Sequence, residues 1–437
     1  MKLGRSLLLG VGPAVILAAG SSGAQAGAFG LRSQGTIAIG QAYAGAASGA
    51  VGVSSLFWNP ATITMHPGYS SEYNITYVDA SARVSAGPGT PTLPFGNSGE
   101  LAQPAFVPAT YSAYQLTDRV WIGLASAAPF GSITKPNNNW SGQVYSRTSR
   151  ITSLNFAPII GVKVTDWLSV AGGPTIEYFK VKLNRAIPSV LAVPATAVLP
   201  GAPTGVLKGD NWSAGFTVGA TLTPVDGTVF GVGFRSSINH ELTGAQFTPF
   251  GNAPIRVKLN TPEQLTVGVT QTITPDLKLS AGFEWMNWSR LKTPQVVNTA
   301  TGTLSPFPLN YKDGYLFSLG GEYQMNPEWA LRAGVGYEIS PIDVSNRGTR
   351  LPDTDRVHAS VGASYQFNEK VTLNASYAHY FAVGNKRIAI ATPANPLFAG
   401  VPFFGDVAAD VNLFSFSATV RWDNPKVAEA APIVRKY

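Results

Sequence analysis

Residues 356–367 have the sequence RVHASVGASYQF, in which apolar or small residues alternate with polar ones. Successive side chains of a β-strand point to opposite faces of the sheet, so this alternation predicts a strand with two different faces. The apolar face carries Val357, Ala359, Val361, Ala363, Tyr365 and Phe367. The other face carries Arg356, His358, Ser360, Gly362, Ser364 and Gln366. Residues 414–422, FSFSATVRW, repeat the pattern. An apolar exterior around a polar interior is the reverse of a soluble barrel.

The composition is that of a chain with few charges and no cysteine. Of its 437 residues, 45% are hydrophobic and 13% are charged, whereas soluble proteins carry about 25% charged residues. The lack of Cys excludes disulfides, thiolate metal ligands and a Cys nucleophile. Beyond the N-terminal segment no run of about 18 apolar residues occurs, so no transmembrane helix is predicted. A closed β-barrel satisfies every backbone polar group within lipid.

The first 26 residues are typical of a secretory signal peptide. Lys2 and Arg5 precede an apolar run over residues 7–19, and residues 24–26 (AQA) form a small-x-small cleavage site. The mature chain is therefore expected to begin at Gly27. Removal of Lys2 and Arg5 leaves 29 Lys and Arg against 24 Asp and Glu, a net charge of +5. This excess is spread along the chain, which predicts no nucleic-acid partner.

Six short polar turns recur along the chain, separated by longer stretches rich in Pro and Gly. They lie at residues 117–118, 165–166, 223–226, 274–276, 326–328 and 368–369. Short turns at one rim and long loops at the other are typical of outer-membrane barrels. The turns pair twelve strands, and a first strand at Tyr69–Ala80 and a last at Ala409–Trp422 complete the set. The sequence thus predicts an all-β, 14-stranded antiparallel transmembrane β-barrel over residues 69–422.

The segments on either side of the barrel are assigned separately. Residues 27–68 are rich in Gly, Ala and Ser, and Arg32 is their only charge up to Val53. Low charge argues against a solvated arm, so we expect an N-terminal hatch, or plug, within the lumen; a disordered arm is the alternative. Residues 423–437 are expected to form a periplasmic C-terminal tail.

Eight of the nine Trp residues are predicted to form two aromatic girdles at the bilayer interfaces. Trp121, Trp167, Trp329 and Trp422 are assigned to the short-turn rim. Trp140, Trp212, Trp285 and Trp288 are assigned to the long-loop end. Burial inside the protein is the alternative for each of them.

Several motifs resemble those of one family. Residues 42–45 (AYAG) and 59–61 (NPA) resemble the plug signature of the FadL family of outer-membrane long-chain fatty acid transporters. Residues 284–289 (EWMNWS) resemble its W-x-x-W-S strand. Further matches are residues 312–313 (KD), 319–323 (LGGEY), 331–334 (LRAG), 340–341 (SP) and 350–356 (RLPDTDR). Their order and spacing, over most of the chain, are similar to those of the family.

The resemblance implies a fourteen-stranded barrel with a hatch that includes Asn59, Pro60 and Ala61. It also implies capture of hydrophobic molecules in an apolar groove of the third and fourth extracellular loops, transfer to an inner pocket, and lateral exit near the hatch. By the strand count these loops are residues 185–208 and 241–254, and exposed apolar patches mark interaction sites. The candidates for the groove are Ile187, Val190, Leu191, Val193, Leu199, Leu242, Phe247 and Phe250. Packing of the loops on each other or on a partner barrel is the alternative.

Inward cations are the candidates for binding a carboxylate headgroup. They are Lys312, Arg332 and Arg356, with Arg147 and Arg150 on a strand of less certain phase. Ion pairs that brace the lumen are the alternative role for each cation. Phe307, in the neighbourhood of Lys312, is aromatic rather than basic, which leaves neutral hydrocarbons open as substrates.

The leading hypothesis is a passive outer-membrane channel for long-chain fatty acids or similar hydrophobic compounds. An uptake channel for aromatic hydrocarbons and a general diffusion porin are the alternatives. A barrel enzyme would need a Ser, a His and a carboxylate together, and only His358 of four His lies inward on a well-phased strand, so no catalysis is expected. We further expect no cofactor or metal, contact with outer-membrane lipid and lipopolysaccharide, insertion by the barrel assembly machinery, and a monomer.

Overall fold

The computed structural model describes residues 27–187 and 201–423. The predicted signal peptide, much of the third extracellular loop and nearly all of the predicted tail lie outside these ranges. Within them are one α-helix, α1 (Thr36–Gly40), and four 3-10 helices, at Gly52–Phe57, Pro60–Met65, Leu93–Phe95 and Trp288–Arg290. None of the described helices combines the length and the apolar character needed to cross a bilayer.

Twenty β segments make up the remaining regular structure of the described ranges. They are β1 (Tyr69–Ala86), β2 (Ala105–Thr117), β3 (Val120–Ala127), β4 (Gly131–Thr134), β5 (Ser149–Lys163), β6 (Leu168–Ala186), β7 (Thr204–Val225), β8 (Thr228–Arg235), β9 (Asn239–Thr248), β10 (Gly251–Asn260), β11 (Gln264–Thr274), β12 (Leu277–Met286), β13 (Gln295–Asn298), β14 (Leu304–Pro306), β15 (Gly314–Gln324), β16 (Trp329–Ile339), β17 (Arg356–Gln366), β18 (Val371–Ala382), β19 (Arg387–Ile390) and β20 (Phe403–Arg421).

These segments form one closed antiparallel sheet. Five strands of the wall are interrupted and consist of two segments each, namely β3 with β4, β8 with β9, β10 with β11, β12 with β13, and β18 with β19. The short β14 folds back on β13 as a hairpin. Because β1 pairs with both β2 and β20, the sheet closes on itself. The wall has fourteen strands, and the six short turns lie at the predicted places, which confirms the predicted fold class.

The two faces of the wall differ as the alternation predicts. On β17, Val361 exposes 56% of its surface while Ser360 exposes 5%. On β20, Phe416 exposes 58% and Ser415 is fully buried. The apolar positions therefore point outward to lipid and the polar ones into the lumen.

The predicted aromatic girdles are only partly correct. Trp167, Trp212 and Trp422 are exposed on the outside, but Trp121 and Trp288 are buried. Trp121 alternates with the outward Ile122, so its ring points into the lumen, where its Nε1 donates a hydrogen bond to the His66 carbonyl (3.0 Å). Trp140, in the loop after β4, is buried too and donates to the Ser146 carbonyl (2.9 Å). The alternative of burial holds for these three.

The plug, residues 27–68, runs inside the barrel, and nearly all of its residues up to Ile63 are buried. Small residues allow it to approach the wall closely. A Cβ added at Gly40 would lie 3.2 Å from the Gly362 Cα on β17. On the same side of the lumen, the hydroxyls of Tyr43 and Tyr380 are 2.8 Å apart. A larger residue at Gly40 would push the plug off this wall.

Asn59 fastens the plug to the opposite side of the barrel. Its Nδ2 donates to the carbonyls of Ala47 (2.7 Å) and, on β7, Ala220 (2.9 Å). Its Oδ1 accepts the Ala61 N–H (3.0 Å), which caps the 3-10 helix that begins at Pro60. The motif at residues 59–61 thus begins a 3-10 helix of the plug and attaches the plug to the wall.

The extracellular hairpins are more regular than the sequence predicts. Residues 241–254, predicted as a loop, belong mainly to β9 and β10, which are joined by a turn at Pro249-Phe250. Similarly, β6 and β7 stay paired up to Ala186 and Thr204. Alternating apolar residues continue in these hairpins, so the sheet extends beyond the predicted strands and its inner face stays apolar there.

Candidate ligand-binding site

An apolar cavity of about 920 Å³, here called the inner cavity, lies in the barrel on the long-loop side of the plug. Its lining residues are Phe29, Ser132, Ser149, Ile151, Phe179, Val181, Leu183, Leu207, Gly209, Leu242, Ile255, Val257, Leu259, Pro294, Val296, Phe307, Leu309, Tyr311, Arg350 and Leu351. Arg350 is the only charged residue among these described lining residues.

Strand alternation builds the walls of the inner cavity. On β6, Phe179 and Val181 face the cavity while Lys180 between them is exposed outside. On β10, Val257 faces the cavity while the next residue, Lys258, is exposed. A one-residue change of register would exchange these faces, so the period-2 pattern determines that the cavity is apolar.

The plug supplies the floor of the inner cavity through Phe29. The ring centroid of Phe29 lies 4.7 Å from that of Trp288, 5.9 Å from that of Phe130 and 6.1 Å from that of Phe179. Edge-to-face and tilted pairs at such distances are favourable aromatic arrangements. Any movement of the plug that shifts Phe29 would therefore change the shape of the cavity.

Arg350, in the loop between β16 and β17, gives the inner cavity a cationic end. Its Nη1 donates to Ser149 Oγ (3.1 Å) and to the Asn184 carbonyl (3.0 Å). No carboxylate of the described residues forms a salt bridge with it. Burial, with a contribution from the nearby Arg185, lowers the pKa of Arg350 to about 9. The guanidinium is therefore charged at neutral pH but poorly stabilised.

A second cavity of about 960 Å³, the outer cavity, lies beside the inner one. The two cavities share Phe307, Leu309, Tyr311, Arg350 and Leu351 as lining residues. Much of the rest of its lining comes from the last extracellular loop and includes Ile390, Leu397 and Phe398. This apolar loop therefore lines a cavity that adjoins the inner one.

The candidates for the extracellular groove fall in three different places. Leu242 lines the inner cavity. Phe250 exposes 71% of its surface at the β9–β10 turn, and the ring of the half-buried Phe247 lies 4.8 Å from Lys208 Nζ. Ile187 is half-buried at the end of the described part of the third loop. The positions outside the described residues are Val190, Leu191, Val193 and Leu199.

Three predicted headgroup cations form ion pairs with carboxylates of the chain. Lys312 bridges Asp343 at 2.5 Å and is mostly exposed, and Arg332 bridges Glu322 at 2.6 Å. Arg356 forms a salt bridge with Asp353. The geometry of all three matches the alternative role, in which these cations form ion pairs within the protein.

The other two predicted cations do not line either cavity. Arg147 donates from all three side-chain nitrogens, to the Asn138 carbonyl, Thr204 and Gln143. Arg150 is exposed on β5, where the next residue, Ile151, lines the inner cavity. Arg150 therefore points outward, which settles the uncertain phase of this strand.

Sequence reasoning missed Arg350 as a site residue although it noted the motif at residues 350–356. Strand alternation could not predict which way Arg350 points, because this residue lies in a loop. The pairing of the other cations depends on distant residues such as Asp343, which is 31 positions from Lys312. The available signal was the motif itself, which places a cation two residues before Pro352 in an otherwise structural turn.

At the level of the plug the lumen is polar, and several of its buried charged groups are paired. Arg32 of the plug lies between two wall carboxylates, 2.6 Å from Glu284 Oε1 and 2.9 Å from Glu338 Oε1. Farther round, Glu177 Oε1 lies 3.1 Å from His240 Nε2. All five groups are buried. The two ion pairs of Arg32 hold the plug to the wall, and the contact between Glu177 and His240 joins two strands of the wall.

The wall is interrupted beside the plug, between β3 and β4. Among the described residues, Ala105–Ala109 of β2 pair with β1 but not with β3, whose pairing with β2 begins at Thr110 and Ser126. The plug covers this interval: the Leu31 N–H donates to the Pro129 carbonyl (2.8 Å), and the Gly131 N–H donates to the Phe29 carbonyl (2.9 Å). Residues 128–130 are therefore held by the plug in the interval where β2 does not pair with this strand.

The four histidines have no hydroxyl partner among the described Ser residues. His240 contacts Glu177 and Asn211, and His379 contacts Asn412. Among the described residues the ring nitrogens of His358 have no side-chain hydrogen-bond partner, and the ring stacks on Tyr380 at 4.5 Å. The described residues also contain no group of three or more potential metal ligands. The absence of catalysis stays a prediction.

Similar structures show the same fold. A Pseudomonas aeruginosa FadL homologue has a TM-score of 0.80 and 23% sequence identity, covering 91% of this chain and 100% of that chain. The Pseudomonas putida toluene transporter TodX has a TM-score of 0.68 and 18% identity, covering 90% and 100%. At these identities the likeness supports the architecture of a plugged barrel.

Sequence comparison identifies the family. The long-chain fatty acid transport protein of Salmonella typhi is 24% identical over 396 residues, which cover 84% of this chain and 90% of that protein. The profile of one family matches residues 17–422, nearly the whole chain. The chain belongs to the family of outer membrane protein transport proteins (OMPP1/FadL/TodX).

Proposed function

We propose that this protein is an outer-membrane channel for the passive uptake of long-chain fatty acids or similar hydrophobic compounds. The observation that carries the proposal is the apolar inner cavity inside a barrel closed by a plug. Burial of each methylene group in such a cavity contributes about 0.8 kcal/mol. A long alkyl chain therefore moves from water into the cavity spontaneously, and no energy-coupling segment is needed.

The proposed route has three stages. Ligand first meets the apolar outer cavity beside the last extracellular loop, and then passes the shared residues Phe307 and Leu309 into the inner cavity. It leaves sideways at the interruption between β3 and β4, after Phe29 and Leu31 move away from residues 129–131. Lateral exit avoids the polar, ion-paired level of the plug. At the level of the plug an alkyl chain would lose its apolar surroundings.

Aromatic hydrocarbons are a second candidate substrate class. The aromatic lining residues Phe29, Phe179, Phe307 and Tyr311 favour them, because flat rings gain from edge-to-face contacts. A general diffusion porin is not proposed, since the plug occupies the lumen where ions would pass.

Uptake of radiolabelled oleate by cells that lack their own fatty acid channel tests the proposal. Val257→Trp fills the inner cavity, and Lys258→Trp places the same ring on the outside of the same strand. We expect Val257→Trp to lower the uptake rate about tenfold and Lys258→Trp to leave it nearly unchanged. Heat-dependent electrophoretic mobility checks that both barrels are folded. Equal rates for both folded variants would contradict the proposal.

A further inference from the structure

The outside of the wall carries a row of cations where β5, β6 and β7 lie side by side. The strand register places Arg150 opposite Lys182, and Lys182 opposite Lys208. Lys180 lies two residues from Lys182 and therefore on the same face, and all four side chains are exposed. Neighbouring strands lie about 4.8 Å apart, so these four charges, here called the cationic face, share a small area.

The cationic face has little negative charge to balance it. Arg150, Lys180 and Lys182 form no salt bridge with any described residue, and residues 188–200, the undescribed part of the loop after β6, contain no Asp or Glu. Asp210 lies opposite Lys180, but its carboxylate is hydrogen-bonded to the Tyr178 side chain. Like charges directly opposite each other destabilise a sheet. An external anion would offset this cost.

The cationic face lies directly beyond an aromatic band. Along β6 the outward side chains are Ile176, Tyr178, Lys180 and Lys182, in order toward the third extracellular loop. Trp212 on β7 lies opposite Tyr178, with the two ring centroids 5.2 Å apart. Exposed Trp and Tyr mark the level of the lipid headgroups, and Lys182 lies about 13 Å farther along the strand. The cations are therefore at the headgroup level of the outer leaflet.

Other parts of the described wall carry charges of another kind on the outside. Arg256 and Lys258 on β10 share Glu241 as a partner, at 3.3 Å and 4.0 Å. On β1 and β20, Asp79 and Asp410 are exposed toward the extracellular end. The unpaired positive excess is thus local to β5–β7, and it is not a property of the whole extracellular rim.

We propose that the cationic face binds the phosphate groups of a phosphorylated glycolipid of the outer leaflet, the lipid A part of lipopolysaccharide. Its acyl chains would then lie against the outward Ile176, Trp212 and Phe216. Lys and Arg donate charge-assisted hydrogen bonds to phosphate oxygens, and basic clusters at a membrane surface bind anionic headgroups. Because sheet register fixes the cations side by side, no divalent ion is needed as a bridge. The site lies outside the barrel, so the inference does not depend on the proposed uptake function.

The test measures binding of lipid A to the purified full-length barrel in detergent with EDTA, by native mass spectrometry. One variant removes three charges of the cationic face together, by Arg150→Gln, Lys182→Gln and Lys208→Gln. The matched control removes three exposed cations elsewhere, by Arg83→Gln, Lys386→Gln and Arg387→Gln. We expect the first variant to bind bisphosphorylated lipid A about tenfold or more weakly than the wild type. The control should stay within about twofold, and lipid A without phosphates should bind equally to all three barrels.

A salt titration of the wild type is a second measurement that needs no variant. Higher ionic strength should weaken binding of the phosphorylated lipid and leave the unphosphorylated one unchanged, because exposed charges are screened by salt. Heat-dependent electrophoretic mobility checks that every variant is folded. Equal affinities of the wild type and the first variant, or an equal loss in the control, would overturn the proposal. Phosphatidylglycerol binding the wild type as tightly as lipid A would also overturn it, since the face would then attract any anionic lipid.

Discussion

The two levels of the lumen differ in how they hold an arginine. At the plug, Arg32 is enclosed by Glu284 and Glu338, and Glu177 is paired with His240. In the inner cavity a single cation, Arg350, faces apolar walls without a described carboxylate partner. Buried charges that are paired and hydrogen-bonded hold elements together, whereas a buried charge left without its partner is costly. The difference supports the proposed function, in which the plug level closes the barrel and the inner cavity holds a ligand.

The largest effect is expected at the plug. Arg32→Met leaves Glu284 and Glu338 buried without their cation, and removing one partner of a buried ion pair costs about 3–5 kcal/mol. We therefore expect the plug to detach from the wall and ion conductance through planar bilayers to rise well above that of the wild type. Arg150→Met, on the outer face, is the control. A conductance equal to the wild type would show that the paired charges do not hold the plug.

A smaller effect is expected from the other attachment of the plug. Asn59→Ala removes the donor to the carbonyls of Ala47 and Ala220 and leaves both without this partner. Such a loss costs about 1–3 kcal/mol, so brief openings in bilayer recordings should become more frequent. The plug should stay seated for most of the time, because Arg32 is intact. Openings as long-lived as those of Arg32→Met would contradict this ranking of the two attachments.

The smallest effect is expected at the support of Arg350. Ser149→Ala removes the Oγ atom that accepts from Nη1, while the Asn184 carbonyl remains as a second acceptor. A hydrogen bond of this kind contributes about 1 kcal/mol, and Arg350 lines the inner cavity, so oleate in that cavity should bind about fivefold more weakly. Conductance should not change, because the plug is untouched. A rise in conductance would mean that the two levels are not independent.

The sequence was sufficient for the wall and insufficient for the site. Period-2 alternation determines the faces of β17 and β20, and polar turns mark the short rim, because both depend on local geometry. Whether each lumenal cation is paired depends instead on residues elsewhere in the chain: Lys312 and Arg332 pair with Asp343 and Glu322, whereas Arg350 has no carboxylate partner among the described residues. Likewise, Trp121 is buried because its face of β3 points inward, and Trp288 is buried because the loop after β12 turns inward.

In the proposed function, hydrophobic ligand is held in the inner cavity above a closed plug. The most direct test of this claim is mass spectrometry of small molecules retained by the folded, detergent-purified barrel, with Val257→Trp beside Lys258→Trp. We predict long-chain acyl compounds bound to the wild type and to Lys258→Trp, and their loss from Val257→Trp. Retention that is the same in all three barrels, or an empty wild-type barrel that conducts ions at a high rate, would contradict it.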